Sequence, residues 1–87
     1  MKFSKRLKEL RINKGFTQED LAKKINISPS SISLYERGVR EPNLNTLIQL
    51  AEILETSTDY LLGITDIKDS SVGDLQKLLK SIINKNR

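Results

Sequence analysis

The sequence predicts an all-α protein, in which five helices form a small domain and one more amphipathic helix follows. Apolar residues recur three and four positions apart rather than in alternation, which indicates helices rather than strands. A length of 87 residues with 37% hydrophobic content is enough for one modest core. The chain contains no Cys, so this core has to form by ordinary packing, without disulfide bonds.

The composition argues against catalysis and against a metal site. The chain has neither His nor Cys, which removes the imidazole bases, the thiol nucleophiles and the commonest transition-metal ligands. We therefore expect no enzyme activity, no metal and no cofactor. No stretch approaches the roughly 20 apolar residues of a membrane-spanning helix, and the basic N-terminus is not followed by the apolar run of a signal peptide. The expected location is the cytoplasm, without membrane association.

A first and a short second helix are predicted in the N-terminal third. We expect the first helix to begin after Ser4 and to end at Gly15, because glycine suits the left-handed conformation found at helix ends. Thr17 precedes Asp20 by three residues, which is the hydroxyl and carboxylate spacing of a capping box, so the second helix should begin there. The buried side of these two helices should contain Leu7, Leu10, Leu21, Ala22 and Ile25.

A third helix is predicted to follow after a very tight turn. Ser28 and Pro29 form an N-cap followed by proline at the first helical position. Ile32 and Tyr35 should face the core, and Gly38 should end the helix. The second and third helices would then lie close together in space.

Residues 18–37 meet the steric demands of a helix-turn-helix. Ala22 is small where the two helices would cross, and a larger side chain there would push them apart. Asn26, in the turn, tolerates a positive φ better than other residues with a side chain. Ile32 supplies an inward aliphatic side chain on the second of the two helices.

Two further helices complete the predicted domain of residues 1–63. Asn43 can cap the fourth helix, and Ser57 can cap a fifth that ends at Gly63. The fourth helix carries at core spacing Leu44, Leu47, Ile48, Ala51 and Leu54. We assign to the core Leu21, Ile25, Ile32, Leu47, Ile48, Leu50, Leu61 and Leu62.

A linker and a last helix are predicted after the domain. Residues 64–73 are polar and include glycine, as is typical of a linker. Residues 74–87 are predicted to form an amphipathic helix, whose apolar stripe is too wide to remain free in water. The stripe must be buried either on the chain's own domain or against the same helix of a second protomer. We expect the second, so that this helix is the dimerisation element, through Leu75, Leu78, Leu79, Ile82 and Ile83.

Four successive segments resemble the Cro/repressor-type (Xre-type) helix-turn-helix regulators of phages and bacteria. They are LKELRINKGFTQEDLAKKI, SPSSISLYERG, REPNLNTLIQLAEIL and TDYLLG. The resemblance covers residues 4–63. It implies a five-helix, lambda-repressor-like domain that presents its third helix to the major groove of double-stranded DNA. It also implies a transcriptional repressor that binds a palindromic operator as a homodimer.

The resemblance assigns DNA contacts to positions on the second and third helices. Gln18 matches a family position that contacts a phosphate or a base edge, whereas its neighbour Thr17 is expected to act mainly as a cap. Arg37 and Arg40 match positions that contact the DNA backbone. The matching groove-facing positions are Ser28, Pro29, Ser30, Ser33 and Leu34. Relatives often carry Gln, Lys or Arg on that face, so base recognition here should depend more on hydroxyls, thymine methyl groups and DNA shape.

Charge supports these assignments. Arg11 and Glu36 resemble a family pair that ties the first helix to the third through a bidentate, partly buried ion pair.

The net charge is +4. Cations are concentrated in residues 1–14 and carboxylates in residues 43–70, an asymmetry that would orient the molecule towards a polyanion. A nucleoid-associated protein is therefore expected.

An antitoxin of a toxin–antitoxin pair is the alternative function. Such a protein would use the same DNA-binding module for autoregulation, and the C-terminal helix could then bind a toxin. The same helix could also bind an antirepressor. An RNA-binding protein is disfavoured, because the four aromatic residues fit the core rather than an exposed stacking surface.

Overall fold

The computed structural model describes residues 2–68, and these residues form five helices without a strand. The helices are α1 (Lys2–Asn13), α2 (Gln18–Lys24), α3 (Pro29–Glu36), α4 (Leu44–Ile53) and α5 (Thr58–Leu62). The predicted all-α, five-helix fold is confirmed for this part of the chain. The predicted helix of residues 74–87, with its apolar stripe, lies outside the described residues.

Helices α2 to α5 begin at the four polar residues that the sequence indicated. The side chains of Thr17, Ser28, Asn43 and Ser57 each accept a hydrogen bond from the backbone N–H three residues further on. Such a cap satisfies a donor that the first helical turn leaves without a partner, and contributes about 1 kcal/mol of stability. Local sequence therefore fixes where these four helices begin.

The start of α1 was predicted wrongly. The helix begins at Lys2 rather than after Ser4, and Ser4 is buried inside it. The reason is Phe3, whose ring lies in the core with only 3% of its surface exposed. Burial of this ring holds the first turn in helical conformation, so no capping hydroxyl is needed at position 4.

The turn between α2 and α3 has the predicted geometry. Asn26 adopts a φ of 58°, in the left-handed region. The N–H of Ile27 donates to the carbonyl of Ala22 at 3.0 Å, which closes the turn. Ala22 itself has no exposed surface, as expected for the small residue between two helices.

The core contains most, but not all, of the predicted side chains. Leu21, Ile25, Ile32, Leu47, Leu50 and Leu61 are buried as predicted. Ile48 and Leu62 were assigned wrongly, since 41% and 48% of their surfaces are exposed, and Leu44 is 73% exposed. The apolar stripe of α4 is wider than the arc that neighbouring helices cover in so small a domain. Leu62 ends α5 beside the buried Leu61 and faces outwards.

The capping box at α2 makes stability depend on pH. The N–H of Asp20 donates to Thr17 Oγ1 at 3.0 Å, and the N–H of Thr17 donates to Asp20 Oδ2 at 2.9 Å. Hydrogen bonds from Thr17, first from its backbone and then from its side chain, hold the pKa of the Asp20 carboxyl below its ordinary value of 3.8. A depressed folded-state pKa contributes stability that is present above the unfolded pKa and is lost as pH falls through the folded pKa.

We therefore expect Asp20→Asn to lower the free energy of unfolding at neutral pH. This deficit should shrink as the pH falls below the ordinary pKa of 3.8, because the wild-type carboxyl then becomes protonated as well. Urea denaturation at several pH values measures the effect, with the neighbouring exposed carboxylate variant Glu19→Gln as the control. A deficit that stays constant down to the lowest pH would contradict the role given to the ionised carboxylate.

Candidate nucleic-acid interface

Helix α3 has one face in the core and another at the surface. Ile32 and Tyr35 are buried. Ser30, Ser33, Leu34 and Arg37 follow one another at the spacing of a single helical face. Along this face Ser30 and Arg37 are exposed, whereas Ser33 and Leu34 are half-buried. The surface of α3 thus offers hydroxyl groups, one aliphatic side chain and, at its end, one cation.

The N-terminal end of α3 is held together by serine hydroxyls. Ser28 Oγ accepts from the N–H of Ser31 at 3.3 Å, and it lies 3.1 Å from Ser30 Oγ and 2.9 Å from Ser31 Oγ. Pro29 is exposed and has no backbone donor. Among the predicted groove-facing residues, Ser28 therefore has the hydroxyl group with the most hydrogen-bond partners inside the protein.

Arg37 and Arg40 are exposed at the end of α3 and in the loop that follows it. Within residues 2–68, neither guanidinium group has an ion-pair partner. Both side chains are therefore available to an external anion, which is the condition that a phosphate contact requires.

Arg11 and Glu36 join α1 to α3 through two hydrogen bonds. Arg11 Nε donates to Glu36 Oε2 at 2.6 Å, and Arg11 Nη2 donates to Glu36 Oε1 at 3.0 Å. A third bond, from Arg11 Nη1 to the carbonyl of Phe16 at 2.8 Å, reaches the loop before α2. The hydrogen bond to Glu36 raises the pKa of Arg11 above its ordinary value, against the opposing effect of burial.

Gln18 belongs to the same network, which the sequence did not indicate. Its Nε2 donates to Glu36 Oε1 at 3.2 Å, so one carboxylate binds residues from α1 and α2. Because a carboxylate only accepts hydrogen bonds, the amide of Gln18 must turn its nitrogen towards Glu36. Its Oε1 and its second N–H remain available to other partners.

The cations of residues 1–14 are not all directed to an external partner, as was expected. Arg6 pairs with Asp66 at 2.7 Å, and Lys14 pairs with Glu55 at 2.9 Å. The basic and acidic stretches of the sequence thus meet where α1 packs against the C-terminal part of the domain. Half of the six cations in residues 1–14 are ion-paired inside the molecule, counting Arg11 with these two.

Two contacts of basic side chains with aromatic rings were also missed. The guanidinium of Arg6 lies 4.1 Å from the centre of the Tyr60 ring, and Lys24 Nζ lies 4.9 Å from that of Phe16. Arg6 is separated from its partners by 54 or more positions, so no local pattern could have revealed them. Residues 2–68 hold no group of three or more side chains suited to a metal ion, and no helix among them is long and apolar enough to cross a membrane.

Residues 7–61 match the family described as Helix-turn-helix. The chain belongs to this family. It is 43% identical over 75 residues to the HTH-type transcriptional regulator ImmR of Bacillus subtilis, a match that covers 86% of this chain and 59% of ImmR. It is 40% identical over 83 residues to the regulator YobD of the same organism, covering 95% of this chain and 72% of YobD. The chain spans 52% of a further Bacillus subtilis regulator, YqaE.

Solved structures show the same fold. The restriction-modification controller protein C.AhdI from Aeromonas hydrophila is 38% identical with a TM-score of 0.65, over 69% of this chain and 91% of that one. The biofilm regulator SinR, in a structure of its complex with DNA, is 30% identical with a TM-score of 0.65, over 69% of this chain and 97% of the SinR chain. The predicted resemblance to Cro/repressor-type regulators is confirmed, and the relatives are transcriptional regulators rather than enzymes. Their names give the antitoxin alternative no support.

Proposed function

We propose that this chain is a sequence-specific transcriptional repressor that lays α3 in the major groove of double-stranded DNA. The observation that carries the proposal is the surface of α3, whose outward hydroxyls and Leu34 are followed by the ion-pair-free Arg37 and Arg40. This arrangement suits a helix that contacts base edges while flanking cations contact phosphates. The DNA complex formed by the related SinR domain supports it.

The residues of this surface divide into two roles. Arg37 and Arg40 bind phosphates, which positions the protein on the duplex without selecting a sequence. Ser30 and Ser33 donate to or accept from base edges, and Leu34 contacts thymine methyl groups. Ser28 and Pro29 border the same groove. Gln18 binds a phosphate or a base edge with the amide groups that Glu36 leaves available.

Repression and dimerisation complete the proposal. A related protein of Vibrio cholerae, 28% identical over 81 residues, is named the cryptic phage CTXphi transcriptional repressor RstR, which supports repression. We infer that two protomers bind a palindromic operator with half-sites about one helical turn apart. The predicted helix of residues 74–87 joins them, in a cytoplasmic, nucleoid-associated protein.

We also propose that the C-terminal region binds a protein partner. The complex of SinR with SinI contains a chain that is 26% identical to this one, with a TM-score of 0.67 and a match over 95% of this chain. That complex supports a protein ligand for this chain, which we propose to be an antirepressor. Such a protein would compete with dimerisation if it bound the helix of residues 74–87.

Selection of bound duplexes from a random DNA library tests the proposed function directly. We expect the full chain to enrich one pseudo-palindromic sequence, because two identical α3 helices would each read the same half-site. Enrichment of a single unpaired site would contradict the dimeric operator. The absence of any enriched sequence would contradict sequence-specific binding altogether.

Substitutions of the phosphate-contacting residues and of the groove-facing residues should change different properties of DNA binding. Arg40→Ala should weaken binding to all sequences about equally and reduce the slope of log K against log salt by about 0.9, since one phosphate contact is lost. Ser33→Ala and Leu34→Ala should instead change which bases are selected, with little change in the salt slope. Titrations at several salt concentrations and repeated selections measure both effects.

Lys23→Ala is the matched control for Arg40→Ala, since it removes one exposed cation from the last turn of α2 that is not among the proposed DNA-contacting residues. The control should leave both the base preference and most of the affinity unchanged. If Arg40→Ala changed the base preference while Ser33→Ala left it intact, the proposed groove face would be wrong.

A further inference from the structure

The side chain of Arg6 fastens the residues that follow α5 to the domain. Its Nη1 donates to the carbonyls of Tyr60 and Thr65, both at 2.6 Å, and its Nη2 donates to Asp66 Oδ1 at 2.7 Å. One guanidinium group on α1 therefore binds the end of α5 and two successive residues beyond it. We call residues 64–68 the strap.

The surroundings of Arg6 hold the guanidinium in one place. Its Cζ atom lies over the ring of Tyr60, 4.1 Å from the ring centre, and only 13% of the side chain is exposed. A guanidinium group that lies over a ring and binds three acceptors has little freedom to reorient. Lysine has a single nitrogen and could not reproduce this planar arrangement.

Apolar burial does not hold the strap. Ile64 and Ile67, its two large apolar residues, are 71% and 69% exposed. The attachment is instead polar, and it has a second point at the far end, where Thr56 Oγ1 donates to the carbonyl of Lys68 at 2.6 Å. Loss of the Arg6 contacts would therefore leave the strap held only at its two ends, by the bond from the Ile64 N–H to Asp59 and by the bond from Thr56 to Lys68.

The chain enters the strap by a turn that allows little variation. Gly63 adopts a φ of 80°, and a Cβ atom at this position would lie 2.7 Å from Lys2 Cδ. Glycine thus lets the chain pass close to the start of α1, directly before the residues that Arg6 binds. The path from α5 into the strap is set by α1.

We infer that Arg6 fixes the direction in which the chain leaves the domain, and that it thereby determines the spacing between half-sites that the dimer accepts. This inference rests on the proposed function, since it requires two protomers joined beyond residue 68. Arg6 is a positioning residue in this role, because it acts through the strap that it binds.

The rigidity needed for this role extends from α1 to α3. Arg6 and Arg11 both lie on α1, and Arg11 binds Glu36 at the end of α3 through two hydrogen bonds. Both the strap and α3 are therefore attached to α1 through side-chain hydrogen bonds. Two protomers joined beyond Lys68 hold their α3 helices at one separation only if the strap does not pivot.

The length of the strap shows how much freedom its release would create. Five extended residues span at most about 17 Å, a limit that is reached only when the bond from Thr56 to Lys68 opens as well. This length corresponds to about five base pairs, at the rise of about 3.4 Å per base pair. A clamped strap should thus restrict the dimer to one spacing, whereas a released strap should permit several.

The experiment uses the full chain and a library of duplexes. Each duplex carries two copies of the half-site obtained from the random selection, separated by different numbers of base pairs. The variant Arg6→Gln removes the charge and the guanidinium, and Lys5→Gln removes the same charge from the neighbouring exposed position on α1. Arg6→Lys keeps the charge without the planar group. Affinity for a duplex with one half-site is measured in parallel.

We expect wild type and Lys5→Gln to prefer one spacing by at least about tenfold, as a rigid linkage requires. Arg6→Gln should reduce this preference to less than about threefold without changing the half-site sequence, and Arg6→Lys should lie between them. The same single spacing in Arg6→Gln as in wild type would overturn the inference.

Amide hydrogen exchange separates release of the strap from general unfolding. The N–H of Ile64 donates to the carbonyl of Asp59 at 2.9 Å and reports on the entry to the strap. Arg6→Gln should speed exchange at Ile64 and Ile67 while the core of α1 stays protected. Equal acceleration throughout the domain would show a structural role only and overturn the inference.

If wild type bound single half-sites but no pairs, the dimeric operator would be wrong, and the role of Arg6 in half-site spacing would be wrong with it.

Discussion

Glu36→Gln is expected to lower the free energy of unfolding by about 3 kcal/mol, near the lower end of the cost of breaking a buried ion pair. The carboxylate accepts three hydrogen bonds, two from Arg11 and one from Gln18, and its side chain is only 3% exposed. The substitution leaves the guanidinium of Arg11, itself 11% exposed, without a neutralising charge. Urea denaturation measures the loss.

A double-mutant cycle tests whether the loss comes from the pair. Arg11→Met removes the guanidinium and keeps an apolar stem, so it should destabilise the fold by a similar amount. The double variant should lose less than the sum of the two single losses, since it contains no buried charge without a partner. Additive losses would show that the two side chains do not stabilise each other.

DNA binding should weaken in the same variants, for a reason separate from stability. Glu36 lies in the last turn of α3 and also binds Gln18 at the start of α2. Its replacement should change both the tilt of α3 and the position of the Gln18 amide. Gln18→Ala leaves the ion pair in place, so its effect on affinity shows how much of the loss comes from the Gln18 amide alone. All affinities are measured under conditions in which each variant stays folded.

The features predicted correctly from sequence are those set by neighbouring residues. The caps Thr17, Ser28, Asn43 and Ser57 each bind an N–H only three residues away, so a short pattern contains the whole interaction. The turn at Asn26 depends on the conformational preference of a single residue. Helix starts and turns were therefore predictable, except at α1, where burial of Phe3 replaces a cap.

The features that were missed depend on contacts between distant parts of the chain. Which side of α4 is covered is decided by other helices, so periodicity alone placed Ile48 in the core wrongly. Arg6 and its acceptors lie 54 to 60 positions apart. The DNA contacts of Gln18, Arg37 and Arg40 stay predictions, because exposure at the surface does not select a ligand.

Truncation of the chain after Lys68 is expected to weaken operator binding by about 100-fold or more, because the second half-site then no longer benefits from a linked protomer. The truncated chain keeps all five helices and the acceptors of Arg6, so it should remain folded. It lacks the predicted helix of residues 74–87 and should therefore sediment as a monomer. Analytical ultracentrifugation and operator titrations measure the two effects.

Two comparisons show which part of the chain is responsible. The double variant Leu78→Ser, Ile82→Ser keeps the full length and disrupts only the apolar stripe, so it should reproduce the loss of affinity and the monomeric state. Truncation after Gly63 also removes Thr65 and Asp66, and it should unfold at a lower urea concentration than truncation after Lys68 because Arg6 loses two acceptors. A dimer with unchanged operator affinity after truncation at Lys68 would place the dimer interface within the five-helix domain. The helix of residues 74–87 would then be a candidate surface for an antirepressor.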